Sequence, residues 1–323
     1  MKKRSGFRPF ALSILFAFIL ISCNRNNSQI VLETQAVTGI AYTTAASGAN
    51  VINKKGAGLT SRGVCWSLTP EPTAREYKTD EGAGKGGFVS NLKGLKPGTT
   101  YYIRAYAIRE NDTIYGNVIS FSTENFGAVT DIEGNEYKTI TAGNRTWMAE
   151  NLRTTRYADS TLIPNIKDAA KWASLTSPGY CWFKNSEAAF KTMYGAIYNW
   201  YTVNTGKLCP EGWHVPTDDD WKGLSAALGG DLVAGGKLKQ TGDSYWQTPN
   251  TGASNEYLFT ALPGGLRYLD GEFRDFGFGG YWWTSTEFSP ERAIFRFAFY
   301  QDANLFRFDN DKKNGFYVRC VKD

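Results

Sequence analysis

Hydrophobic and polar positions alternate along this chain in two different ways. From Tyr101 to Ala107 the period is two: Tyr101, Ile103, Ala105 and Ala107 share one face, and Tyr102, Arg104 and Tyr106 the other. Segments of strand composition recur at residues 30–37, 39–43, 62–67 and 117–123, with turn signals such as Thr69-Pro-Glu-Pro-Thr73 between them. Short strands at even spacing predict an antiparallel sandwich over residues 29–123. Past a brief linker, Glu124-Asn-Phe-Gly127, the pattern changes. Asp131, Gly134 and Asn135 supply turn chemistry for a hairpin over residues 129–137. Residues 194–201 predict a short helix, and residues 217–228 a clearer one. There Thr217 caps the first turn, Asp218, Asp219 and Asp220 sit at its positive end, and Gly229-Gly230 stops it. Trp221, Leu224 and Leu228 would form its buried stripe. Everything after Leu258 reads as short strands and loops.

The first residues follow another logic. Lys2, Lys3, Arg4 and Arg8 precede an apolar run from Phe10 to Ile21. A basic segment before a short apolar one is a secretory signal, and the run is shorter than the roughly 20 residues a spanning helix needs. Leu20-Ile-Ser-Cys23 resembles a bacterial lipobox, which implies a signal peptide over 1–22, lipidation at Cys23 and a solvated tether over 23–28. Diacylglycerol on Cys23, with an acylated amine, would hold the chain on a bilayer, each buried methylene adding about 0.8 kcal/mol. The tether carries no acidic cluster, so the membrane face stays open.

Removing the signal changes the charge. The full sequence carries +5, and residues 1–22 hold four basic and no acidic side chains, so the remainder is near +1. That balance excludes nucleic acid as an expected partner. The remaining chain, about 300 residues, fits two domains. Aromatics at 15% and 34 glycines favour strands, turns and loops over a helical bundle.

Candidate chemistry is sparse. His214 is the one histidine, lies between Trp213 and Val215, and reads as a packing residue; a His-rich zinc site is excluded. Asp218 to Asp220 are explained by the helix dipole alone. Asp309-Asn-Asp-Lys-Lys-Asn-Gly315 has a superficial likeness to a calcium loop but lacks its fifth-position oxygen and closing Glu, so a tight polar turn is expected. No cofactor and no metal are expected. Nine of the ten tryptophans fall after residue 123, and most are expected in the core. Trp282 and Trp283 point oppositely in a strand, so one is expected at the surface. With Tyr245, Trp246 and Tyr268 on loops, they are the candidate ligand-binding residues.

Four ordered motifs carry a family resemblance. Cys209-Pro-Glu-Gly-Trp-His-Val-Pro-Thr-Asp-Asp-Asp-Trp221, Ala261-Leu-Pro-Gly-Gly-Leu-Arg267, Gly280-Tyr-Trp-Trp-Thr-Ser-Thr286 and Gly315-Phe-Tyr-Val-Arg-Cys320 together resemble the Fibrobacter succinogenes major paralogous domain over residues 126–323. That family is common in surface and secreted proteins of Bacteroidetes and Fibrobacteres and brings no settled activity. The closing string also resembles the last strand of C-type-lectin-like folds, including formylglycine-generating enzymes. This implies a C-type-lectin-like, α+β second domain. In that architecture the final strand lies beside the start of the core, which implies a Cys209–Cys320 disulfide, with Cys181–Cys320 as alternative. Cys65 is expected to be a buried thiol. In the first unit, Leu92-x-x-Leu95-x-Pro97-x-Thr99-x-Tyr101 resembles a fibronectin type III module, and implies a tyrosine hydroxyl closing the preceding turn.

The expected protein is mainly β: a fibronectin III-like sandwich followed by a C-type-lectin-like head. It reads as a non-enzymatic envelope lipoprotein, palmitate-anchored at the outer membrane, that binds glycan or an envelope protein. A carbohydrate-active or protein-modifying enzyme, or a purely structural envelope component, are the alternatives.

Overall fold

A computed structural model describes residues 30–53 and 58–323. The signal, the tether and Cys23 lie outside the described residues. The first unit comprises β1 (Ile30–Thr34), β2 (Ala45–Asn53), β3 (Ser61–Ser67), β4 (Tyr77–Lys78), β5 (Gly86–Leu92), β6 (Thr100–Arg109), β7 (Asp112–Tyr115) and β8 (Ile119–Ser122). They form two antiparallel sheets. One has the order β1-β2-β5, and the other β4-β3-β6-β7 with β8 also on β6. This is a fibronectin type III-like β-sandwich. The alternation in β6 holds: Tyr101, Ile103, Ala105 and Ala107 are buried between the sheets. The turn before Tyr101 is closed as expected, with the Lys96 amide donating to the Tyr101 hydroxyl at 2.9 Å. Tyr106 is on the outer face yet also buried, against Cys65 and Ala74. Cys65 is a free buried thiol, and burial pushes it up to about 11.

The second unit is built from β9 (Gly127–Thr130), β10 (Glu136–Ala142), β11 (Arg145–Met148), α1 (Ala169–Ala173), β12 (Tyr180–Cys181), α2 (Glu187–Tyr194), β13 (Ile197–Asn199), α3 (Trp200–Val203), β14 (Trp213–His214), α4 (Asp218–Ala227) and α5 (Asp231–Leu238). It continues with β15 (Gly264–Arg267), β16 (Phe273–Phe276), β17 (Gly279–Glu287), β18 (Arg292–Phe299), β19 (Leu305–Asp311), β20 (Gly315–Phe316) and β21 (Val321–Lys322). The expected hairpin is present: β9 and β10 pair antiparallel, and the Asp131 carboxylate accepts from the amides of Glu133 and Asn135. A five-stranded sheet runs β14-β21-β11-β10-β9, so the last strand lies beside the first ones. An eight-stranded sheet runs β12-β13-β20-β15-β17-β18-β19, with β16 on β15. Cys209 and Cys320 are joined, their Cα atoms 5.9 Å apart. The Cys181 alternative is corrected: that thiol is free and buried, and burial pushes it up to about 12.

The clearer predicted helix is found as α4. Thr217 and Asp220 form a reciprocal capping box, and Trp221, Leu224 and Leu228 are buried. The helix predicted over residues 194–201 is not found. Instead α2 ends at Tyr194, β13 follows, and α3 begins at Trp200. Gly195 breaks the run with φ +80, and a Cβ there would sit 2.8 Å from Asn151 Cβ and Leu152 O. The next residues gain more from pairing, Tyr198 opposite Phe316 on one side and Tyr180 on the other.

The two units meet through Tyr42. Its hydroxyl accepts from the Thr141 amide at 2.7 Å, and its ring stacks on Phe126 at 5.8 Å.

Candidate functional site

The aromatic residues singled out as ligand platforms are largely spent on the core. Trp246, Trp282 and Trp283 are all buried, which corrects the expectation that Trp246 and one of the Trp282–Trp283 pair reach solvent. β17 lies inside the eight-stranded sheet with both faces covered. Trp282 packs against Trp221 and Phe259, and Trp283 against Phe316 and Phe295. Each indole N–H has an internal acceptor: Asn151 Oδ1 for Trp282, Tyr198 O for Trp283 and Ala261 O for Trp246. Tyr268 is half-buried, with the Arg274 guanidinium 4.1 Å from its ring centre. Tyr245 alone among the five keeps a clear exposure, 37%. It lies near Tyr194, whose hydroxyl is pushed up by burial and by the Tyr245 hydroxyl.

The motif residues that look chemical are structural: the arginines donate to buried carbonyls and Asp218 accepts from arginines. Arg319 is fully buried. Its guanidinium donates to Asn151 Oδ1 and to the carbonyls of Ala149, Phe259 and Thr260. Burial pushes it down to about 9, so it stays a cation at neutral pH. Arg267 donates to the carbonyls of Gly271, Ile166 and Lys167 and stacks 4.5 Å from the Trp172 ring centre. Asp218 does more than face a helix dipole. It binds Arg296 at 2.8 Å and Arg307 at 2.9 Å. Burial alone would raise its carboxyl, but hydrogen bonds from Arg296, Lys222 and Arg307 outweigh that and hold it below the ordinary value. His214 is held between Asp323, 2.5 Å from Nδ1, and Asp220, 3.1 Å from Nε2. Asp309 to Gly315 form a strand end and a tight turn, with the Asn314 amide bonded to Asp311 O.

Open, chemically mixed surface occurs elsewhere. Two adjoining cavities of about 390 and 500 Å³ share Asp159 and Lys207. Tyr157, Thr161, Leu162, Pro164, Pro178 and Thr205 line the first, and Pro210 and Trp213 the second. Three loops make the walls. The Tyr157–Leu162 loop folds back on itself through Tyr157 N–H to Thr161 O. It is tied to the loop after α3 by Ala158 N–H to Lys207 O at 2.8 Å. The latter loop is pinned below by the disulfide at Cys209. The Lys207 ammonium bonds Asp159 at 2.8 Å, and with the Thr161 hydroxyl and amide holds that carboxyl down to about 2. Leu162 is 61% exposed and Trp213 half-exposed.

The Tyr157 ring forms part of the first cavity's wall, and its hydroxyl points into the protein. That hydroxyl is buried beneath the wall, beside the Thr202 and Thr205 hydroxyls. Burial pushes it up, while the two threonine hydroxyls act against this.

Sequence reasoning missed this groove. Its ion pair joins residues 48 apart, and neither stands in a pattern. Trp213 did stand in a quoted motif, and the prolines marked loops, but nothing in sequence aligned the three loops.

A family model for the Fibrobacter succinogenes major domain matches residues 140–322, more than half of the chain. Comparison with curated proteins gives no match. Among solved structures, the N-terminal part is similar to the sensor domain of the anti-sigma factor RsgI4 from Pseudobacteroides cellulosolvens. Identity is 16%, covering 31% of this chain and 98% of that one, with a TM-score of 0.25. It is also similar to the sixth fibronectin type III domain of human fibronectin type III domain containing protein 3. There identity is 21%, covering 32% and 93%, with a TM-score of 0.25.

Proposed function

The chain belongs to the Fibrobacter succinogenes major domain family, and we propose that it is a lipid-anchored, non-catalytic binding protein of the cell envelope. In this reading Cys23 carries the lipid, the fibronectin-like unit is a spacer, and a C-type-lectin-like head does the binding at the outer membrane. The ligand site is the double groove around Asp159 and Lys207, and the ligand is a glycan. The observation that carries the assignment is the exposed Asp159–Lys207 ion pair, which stands where the two open cavities join. An exposed carboxylate and ammonium offer acceptor and donor to sugar hydroxyls, and the half-exposed Trp213 offers a face to the sugar ring.

A second reading, an envelope protein as ligand, is favoured by the exposed Leu162 beside Pro164 and Pro178. A glycan array and an envelope pull-down with the purified chain separate the two. Lys207→Ala and Trp213→Ala should each abolish capture in whichever assay responds. Silence in both assays, or capture untouched by both substitutions, would remove the groove as the site. The anchor is tested apart from it: Cys23→Ala should abolish labelling by a palmitate analogue, and labelling that persists would refute the lipidation.

A further inference from the structure

We infer that the head forms a two-fold dimer in which the free edge of β19 pairs with β19 of a second copy. β19 ends the eight-stranded sheet, and no strand pairs with its outer edge among the described residues. Such an edge is a ready template for another strand unless it is blocked.

The strand's own hydrogen bonding fixes which residues face outward. Lys312 N–H donates to Glu291 O, whereas Arg292 O accepts from Phe288 and Ser289 on the opposite side. With Arg292 opposite Asp311 and Phe295 opposite Phe308, the even-numbered residues of β19 bond to β18. Arg307 and Asp309 therefore present their amides and carbonyls to the free edge.

Only one register suits an antiparallel copy. Pairing centred on Arg307 sets that cation against itself, and centring on Asp309 sets carboxylate against carboxylate. Centring on Asn310 sets Asp309 against Asp311, and centring on Phe306 leaves Arg307 opposite Leu305. Centring on Phe308 sets Arg307 opposite Asp309 twice, related by the two-fold axis, and Phe308 opposite its own copy. Opposite charges and aromatic pairs are the favourable cross-strand neighbours, and self-complementarity of one patch is what a two-fold interface requires.

The side chains leave room for this. Arg307 bonds Asp218 through Nε, and its terminal nitrogens have no carboxylate partner among the described residues. Asp309 already holds Arg292, whose Nη2 reaches the Asp309 carbonyl at 2.8 Å and occupies one of its two lone pairs. The Asp311 amide is capped by Asn310 Oδ1 at 2.9 Å, so the added ladder stops there. On the other face Phe308 is 55% exposed and continues an aromatic row. Phe306 stacks on Phe297 at 4.6 Å, and Phe308 lies 5.9 Å from Phe297. The dimer extends that row across the axis, and presents two grooves from one assembly.

The test uses the full chain in neutral detergent, which keeps the apolar segment before Cys23 from driving association. Sedimentation should show a concentration-dependent dimer, and Phe308→Lys, which opposes two ammonium groups on the axis, should sediment as a monomer. Under mild oxidant, Phe308→Cys should give a reducible dimer whose peptide map links residue 308 to itself. Asn310→Cys alone should not link, because its two copies lie about 13 Å apart along the strands. Asn310→Cys mixed with Phe306→Cys should link, since the register sets them opposite. A chain monomeric up to its solubility limit would overturn the proposal. So would a Phe308→Lys variant that sediments like the parent, or equal linking by Phe308→Cys and by Asn310→Cys alone.

Discussion

The sandwich closes its core with aliphatic side chains, alanines and a few aromatic rings, and the hydroxyls of Tyr101, Tyr106 and Tyr115 fasten its turns and strand ends. The head instead buries eight tryptophans, three arginines and a disulfide. The difference follows from where backbone carbonyls go. In the sandwich the two main strand ladders, each seven residue pairs long, take many of them up. The head has long loops whose carbonyls turn inward with no ladder to meet them. Buried cations supply the missing donors: Arg319, Arg267 and Lys239 between them serve eight loop or strand-end carbonyls. Tryptophan fills the wide spaces that such loops leave. The family motifs are therefore mostly architecture, although Cys209 to Trp213 of the first one also line the groove's second cavity.

Arg319→Ala would break the comparison most severely. It strips donors from three carbonyls and from Asn151 at once, all of them inside the head. The expected loss is about 3–5 kcal/mol from the head. Arg319→Lys should rescue only part, because an ammonium cannot reproduce the planar fork. Urea unfolding followed by tryptophan fluorescence reads the head, and hydrogen exchange at β3 and β6 reads the sandwich. A sandwich that loses protection equally would show that Tyr42 welds the two units into one cooperative block.

Reduction of Cys209–Cys320 comes next. The bridge spans a sequence separation of 111 residues, and its loss should cost the head about 2–4 kcal/mol. The head's Tm should fall and the sandwich's remain. Mapping without reduction should recover Cys209 linked to Cys320, with Cys65 and Cys181 alkylated only after unfolding. Recovery of Cys181 in the bridge would refute the arrangement. The sandwich has its own, smaller weak point in Tyr101→Phe, which leaves the Lys96 amide without its partner. About 1–2 kcal/mol should be lost from the sandwich alone, read as faster exchange at β6 with unchanged head fluorescence.

Legibility in sequence followed the range of the forces. The Thr217 cap of α4 and the alternation of β6 are set by residues within a turn or two and were readable, and the tyrosine corner was implied by the fibronectin type III resemblance. The disulfide became readable only through the family resemblance. Trp282 and Trp283 alternate across β17 as expected, yet neither reaches solvent, because sequence alone does not show that both faces of a strand are covered. The helix expected over Tyr194 to Tyr201 gave way to a strand because Phe316, 118 residues beyond Tyr198, is its pairing partner, and local sequence does not show it. Asp218 was read through its dipole because Arg296 and Arg307 lie 78 and 89 residues away. The groove needed three loops, one disulfide and one ion pair to coincide, and no single stretch of chain records that.

The smallest expected effect on stability belongs to that ion pair, and it sharpens the comparison most. Asp159 and Lys207 are both solvent-exposed, so Lys207→Ala should leave the Tm of either unit unchanged within error. Ligand capture should nevertheless be lost, since the pair stands where the two cavities join. The pH dependence has a definite sign. An unfolded aspartate titrates at about 3.9, and the Lys207 ammonium holds the folded Asp159 down to about 2. Whatever stability the pair confers is complete above the unfolded value and disappears as the pH falls through about 2. Capture should therefore be flat from neutral pH down to the unfolded aspartate range, and decline only below it. Measured with the capture assay at constant ionic strength, a loss between pH 7 and pH 5 would place recognition on some other group. A Tm drop in Lys207→Ala as large as that of Arg319→Ala would erase the distinction between a fold-bearing cation and a ligand-facing one.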